Sequence, residues 1–163
     1  MTSQSELPFT EWERGWLEGL IDGEGAIGMS KIREPGHGRG FVWRPYVTIS
    51  NTCFPLMEKL SHVLGGVGVY IAERPGRGNR RTAYGIRVTP GRIRWLLPQL
   101  KLVVKEQQRL LVLEALKLVG EHHPRPGVRG ASSQNDARLM EIYESLRQLN
   151  ARGNGGRVSP GVR

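Results

Sequence analysis

The run Trp16-Leu17-Glu18-Gly19-Leu20-Ile21-Asp22-Gly23-Glu24-Gly25 constrains this chain more than any other stretch. It reads as the end of an amphipathic helix over about 10–23. Thr10 stands where an N-cap belongs, and Glu13 three residues on completes a capping box. Trp12, Trp16, Leu20 and Ile21 recur at helical spacing as its apolar positions. Gly15, Gly19 and Gly23 recur every four residues, so they share a face that carries no side chains and lets a second backbone come close. The stretch is too short and too charged to span a membrane. It ends on Asp22 and Glu24, where the helix dipole is already negative. Acids at such a point call for a compensating cation; the plainer alternative is an untidy acidic end with a glycine stop.

Charge points in the same direction. All of the net charge of +9 lies between Lys31 and Arg94, which hold 12 basic residues against 3 acids, while the remainder is neutral. A basic excess confined to one segment is the footprint of a polyanion-binding face. At 163 residues the chain is expected to form one domain that buries about two thirds of its unfolded surface. No apolar run reaches membrane-spanning length, and no signal pattern opens the chain. The single Cys53 excludes an internal disulfide and a cysteine metal site. The expectation is an intracellular protein of cytoplasm or nucleoid, with organellar encoding left open.

Residues 1–9 are expected to be a disordered lead-in, 10–150 the folded domain and 151–163 a flexible tail. After Gly25 the pattern turns from helical to alternating. Ile27 and Met29 are placed inward, with Gly28 and Ser30 on the opposite side. Residues 34–40 form a hairpin tip. A second strand, about 41–50, sets Phe41, Trp43, Val47 and Ile49 against Val42, Arg44, Tyr46, Thr48 and Ser50; Pro45 implies an edge or a bulge. A helix over about 54–64 turns Leu56, Leu60, Val63 and Leu64 inward. A third strand, about 67–74, alternates Val67, Val69 and Ile71 against Gly68, Tyr70, Ala72 and Arg74. A second Pro-Gly tip precedes a fourth strand, about 81–89, with Tyr84, Ile86 and Val88 inward and Arg81, Ala83, Gly85 and Arg87 outward. Helical periodicity returns after Pro90, where Ile93, Trp95, Leu96 and Leu97 form a short piece before Pro98. Longer helices follow at about 104–119, marked by Leu110, Leu111, Leu113, Leu116 and Leu118, and at about 134–150, marked by Leu139, Ile142, Tyr143, Leu146 and Leu149. The adjacent His122 and His123 fall in the loop between them and read as surface residues rather than ligands. The whole is an α+β chain in which two hairpins present one basic, hydroxyl-rich face. A twisted antiparallel sheet of this kind fits a DNA major groove.

Leu17 to Gly25 resembles the nine-residue signature of the LAGLIDADG homing endonucleases. Leu17, Gly19, Leu20, Ile21, Asp22 and Gly25 match letter for letter, Glu24 keeps the acid, and Glu18 and Gly23 are the variable positions. The order of elements also resembles the αββαββα order of that family, so the likeness extends over nearly the whole chain.

The resemblance implies a fold with an antiparallel DNA-binding sheet and, because the motif occurs once, a homodimer with the motif helix at its interface. Gly15, Gly19, Leu20, Asp22 and Gly23 would meet a second copy. Two copies of Glu24 would then converge and need divalent cations, with Mg²⁺ favoured by hard oxygen ligands and Mn²⁺ able to substitute. In the family the acid at the eighth motif position, here Glu24, ligates the metal and the preceding carbonyl, here Gly23, assists; Asp22 supports the motif structurally. Asn51 matches the amide that orders water at the end of the second strand, with Ser50 as its neighbour. Lys105, in Leu102-Val103-Val104-Lys105-Glu106-Gln107-Gln108, matches the base that stabilises phosphate charge. Their ordinary alternatives are a helix cap for Asn51 and a first-turn surface lysine for Lys105.

DNA contacts are expected from the sheet face. Arg44, Arg74, Arg81 and Arg87 suit guanine, and Ser30, Tyr46, Thr48, Ser50 and Tyr70 offer hydroxyls. Arg33, Arg39, Arg77 and Arg80 on the tips suit phosphates. The implied activity is hydrolysis of both strands of a long, near-palindromic duplex by an intron-encoded enzyme. An intron RNA-binding maturase and a non-cleaving DNA-binding regulator are the alternatives on the same fold.

Overall fold

A computed structural model describes residues 9–36, 40–73, 81–120 and 133–153. They form α1 (Glu11–Glu24), β1 (Gly25–Arg33), β2 (Phe41–Asn51), α2 (Phe54–Val63), β3 (Val69–Glu73), β4 (Ala83–Val88), α3 (Pro90–Leu96), a 3₁₀ turn (Leu97–Gln99), α4 (Glu106–Gly120) and α5 (Ser133–Gly153). The element order agrees with the sequence reading. α5 runs on to Gly153, past the expected domain end at 150, and residues 1–8 and 154–163 lie outside the described residues.

Local chemistry explains the boundaries. The Thr10 hydroxyl accepts the Glu13 N–H at 3.2 Å, and the Glu13 carboxylate accepts the Thr10 N–H at 2.8 Å, so two helix-start donors are satisfied reciprocally. The backbone and hydroxyl of Thr10 hold the Glu13 carboxyl below its usual range. Pro55 and Pro90 open α2 and α3, where a missing N–H costs nothing. Gly65 and Gly66, at φ 74° and 81°, end α2 in the left-handed region, and the Gly66 N–H closes onto the Ser61 carbonyl at 2.8 Å.

The four strands form an antiparallel sheet in the order β1-β2-β4-β3. Gly25 pairs with Ile49 and Arg33 with Phe41 in one hairpin, while Asn51 pairs with Tyr84 across β2 and β4. Pro45 is opposed by Met29 alone, because β4 joins β2 only from Val47 onward. At Pro45 β2 is therefore locally an edge, where a residue without an N–H is tolerated.

One face of the sheet carries the core. Ile27, Met29, Trp43, Val47, Ile49, Ile86 and Val88 are buried there with Leu17 and Ile21 of α1, Met57 and Leu60 of α2, Ile93 and Leu96 of α3 and the inner faces of α4 and α5. Each large side chain so buried contributes roughly 1.5–3 kcal/mol. Helix phase differs from the sequence reading in three places. Leu17, not Trp12, is a buried position of α1; Trp12 is 59% exposed and stacks on Trp16. Met57 takes the place in the core expected of Leu56, which is half-buried. Gln108, Val112, Ala115 and Leu116 form the inner stripe of α4, and Leu110 is 53% exposed. Ile71, expected inward, is also exposed, at the bulged end of the edge strand β3. Among the described residues no helix is long and apolar enough to cross a membrane.

Candidate functional site

The site begins where α1 becomes β1. A methyl group at Gly25 would lie 2.7 Å from the Ile21 carbonyl oxygen, inside any tolerable contact, so only glycine lets the chain leave the helix this tightly. The Gly25 N–H donates to that same carbonyl. Gly15, Gly19 and Gly23 present a different environment: among the described residues, methyls added there would meet nothing within 4 Å beyond their own stretch of helix. The glycine face is bare of packing by any other described residue.

Beside this helix end lies the bent segment 101–105, held by alternate N–H groups. Lys101 donates to the Glu18 carboxylate at 2.8 Å; Val103 and Lys105 donate to Asp22 at 2.8 and 3.0 Å. Glu18 and Asp22 are four residues apart on one helix face, so their carboxylates form two grips on one ribbon. Partial burial raises the Asp22 pKa, but the N–H groups of Val103, Lys105 and Val104 together outweigh it and hold the carboxyl below its usual range. Asp22 thus carries its charge while gripping its own chain.

The ammonium of Lys105 turns back onto the last turn of α1. It donates to the Ile21 carbonyl at 3.0 Å and to that of Asp22. Burial pushes its pKa down, and Asp22 and Glu24 pull it back up. A cation on the carbonyls of a helix C-terminus is the favourable arrangement that the acids alone lack. Glu24 is exposed, and its charge reaches Lys105 without an ion-pair contact between them.

Asn51 closes β2 at the same end of the sheet, two residues past the partner of Gly25. Its side-chain oxygen accepts the Cys53 N–H at 2.8 Å, a turn leading into α2. This is a local role close to the expected cap, although the N-cap position itself is Cys53. Glu24, Lys105 and Asn51 therefore gather around one end of the sheet, with Lys105 and Glu24 coupled electrostatically. The register sets Ser50 on the opposite, outer face beside Gly85.

That outer face carries Ser30, Arg44, Tyr46, Thr48, Ser50, Tyr70 and Arg87, with Arg44, Ser50, Tyr70 and Arg87 exposed. Its tyrosines do not stand up from the sheet. Tyr46 lies across Gly28 and Tyr70 across Gly85, so closely that a methyl on either glycine would stand 2.6 Å from the ring system. Arg81 is exposed just before β4, whereas Arg33 opposes Phe41 and so belongs to the helix-bearing side. Arg39, Arg74, Arg77 and Arg80 lie outside the described residues, as do His122 and His123.

Sequence reasoning missed Glu18, whose spacing to Asp22 was the available signal, and the glycines that the two tyrosines cover. Glycines at alternating positions of otherwise β-rich strands were the clue there.

No protein-family model matches the chain, and no curated protein does. Solved structures do. The homing endonuclease I-CvuI in complex with its target is 17% identical over 91% of this chain and 87% of its own, with a TM-score of 0.59. The archaeal intron-encoded homing endonuclease I-Vdi141I complexed with DNA is 16% identical over 85% and 84%, at 0.65. The LAGLIDADG homing endonuclease I-SmaMI bound to cleaved DNA is 18% identical over 96% of this chain but 51% of its own, at 0.62, so this chain spans about half its length. Matched over most of its length at these TM-scores, the chain has the fold of the LAGLIDADG homing endonucleases.

Proposed function

We propose that the chain is a site-specific DNA endonuclease that works as a homodimer on a long, near-palindromic duplex. The observation that carries this reading is the Lys105 ammonium seated on the last carbonyls of a glycine-faced helix that ends on the exposed Glu24. It stands at one end of a sheet whose outer face exposes Arg44 and Arg87. The likeness to DNA-bound homing endonucleases supports it.

Residues 10–150 act as one domain in this reading. Two copies of α1 pack through Gly15, Gly19, Leu20 and Gly23, and each Asp22 secures the 101–105 segment of its own chain. The exposed Glu24 carboxylate and the Gly23 carbonyl form a hard-oxygen donor set. Among the described residues no three His, Cys, Asp or Glu side chains gather, so the second Glu24 completes it. A divalent cation, Mg²⁺ with Mn²⁺ as substitute, would supply an activated water and stabilise the leaving oxygen there. The Asn51 amide would orient the attacking water. The Lys105 ammonium, held at the helix end, stabilises charge developing on the phosphate. The sheet reads base edges through Arg44, Arg81 and Arg87, and basic residues of the hairpin tips hold phosphates.

Cleavage of a randomised duplex library by the wild-type chain, and not by Glu24→Gln, tests the reading. Capture of structured intron RNA without duplex cleavage would favour a maturase instead.

A further inference from the structure

Arg87 lies on β4 in register with Thr48, which pairs in turn with Ala26. Its guanidinium is not above that row. It sits 4.9 Å from the ring centre of Tyr46, and one nitrogen lies 3.5 Å from the Ser30 hydroxyl. Tyr46 pairs with Gly28 and Ser30 with Arg44, two and four residues farther along β1 from the end of α1. The side chain therefore leans outward, across β2 and toward β1.

The cause is local. Because residue 28 is glycine, the Tyr46 ring lies down over it and turns a face to solvent. That face takes the guanidinium, and the Ser30 hydroxyl accepts one of its five N–H donors. An arginine so held has lost much of its rotamer freedom before it meets a ligand, and its other donors are available for a bidentate pair with guanine O6 and N7.

Resting on the DNA-endonuclease reading, we propose that Tyr46 and Ser30 are positioning residues that aim Arg87 at a guanine about two base pairs farther from the cleavage centre than its backbone position would give. Two residues along a strand span about 7 Å, and two base-pair steps span about the same.

The test is selection of bound duplexes from a randomised library by wild type, Arg87→Ala, Tyr46→Leu, Tyr46→Phe and Ser30→Ala. Arg87→Ala should remove a guanine preference of about tenfold to a hundredfold at one position in each half-site. Tyr46→Leu should shift that preference inward by about two positions or spread it over the neighbours, Ser30→Ala should weaken it in place, and Tyr46→Phe should preserve it. Should Tyr46→Leu leave the preference at the same position and strength while Arg87→Ala abolishes it, the positioning role falls and the endonuclease reading stands. Should the wild type select no sequence from duplex DNA, both fall together.

Discussion

The carboxylate of Asp22 holds the backbone N–H groups of Val103 and Lys105, while the ammonium of Lys105 returns to the carbonyls of Ile21 and Asp22. The two residues, 83 apart in the chain, lock each other into place. The acid fixes the backbone that carries the lysine, and the lysine neutralises the helix end that carries the acid.

Asp22→Ala should therefore destabilise the fold by about 1–3 kcal/mol, because two charge-assisted hydrogen bonds are lost together. The Asp22 carboxyl is held below its usual range, so its contribution is complete above that range and fades as pH falls through the folded value. Urea denaturation should show the full gap between wild type and variant at pH 7 and a narrower one in strong acid. Amide exchange at Val103 and Lys105 should accelerate in the variant.

Lys105→Met should cut the cleavage rate by about a hundredfold or more, the usual loss for one donor to developing charge, while binding of uncut duplex persists. Burial lowers the lysine pKa. Its charge is thus lost at lower pH than from a free lysine, and the penalty for keeping it charged inside the fold disappears as pH rises past the folded value. Cleavage should decline on the alkaline side before the ordinary lysine range. Lys105→Arg, if it supports turnover, should remove that decline.

Gly25→Ala and Gly19→Leu separate two uses of glycine in one motif. The first forces a methyl to 2.7 Å from the Ile21 oxygen and should lower stability by about 1–3 kcal/mol. The second enters open space and should leave the monomer within about 1 kcal/mol of wild type. Sedimentation velocity should nevertheless find Gly19→Leu monomeric where the wild type is dimeric.

Thr10→Ala removes the side-chain acceptor of the capping box and should cost about 1 kcal/mol, measured as a lower urea midpoint at unchanged slope.

Much of this was legible because it is local. The Thr10–Glu13 box, the alternation of β2 and β4, and the glycine spacing of α1 depend on neighbours within a turn or a strand. Phase was harder. Leucines crowd α4 on several faces, so periodicity did not single out Gln108, Val112 and Ala115 as the inner stripe. Ile71 looks like a core residue until the sheet order makes β3 an edge strand. At the site, the types of Glu24, Asn51 and Lys105 could be read, but the grip of Glu18 and Asp22 on residues 101–105 could not. It joins backbone N–H groups, which every residue type but proline shares, across more than 80 positions. The lean of Arg87 was hidden for a similar reason, since it depends on a ring lying over a glycine of another strand.

The most direct test of the account is cleavage selection. Purified protein is incubated with a long randomised duplex library in Mg²⁺, the cut ends are sequenced, and Glu24→Gln is run beside it. The account predicts a near-palindromic consensus cut on both strands by the wild type alone. Cutting by both proteins would remove Glu24 from the reaction, and binding without cutting in either Mg²⁺ or Mn²⁺ would contradict the nuclease assignment itself.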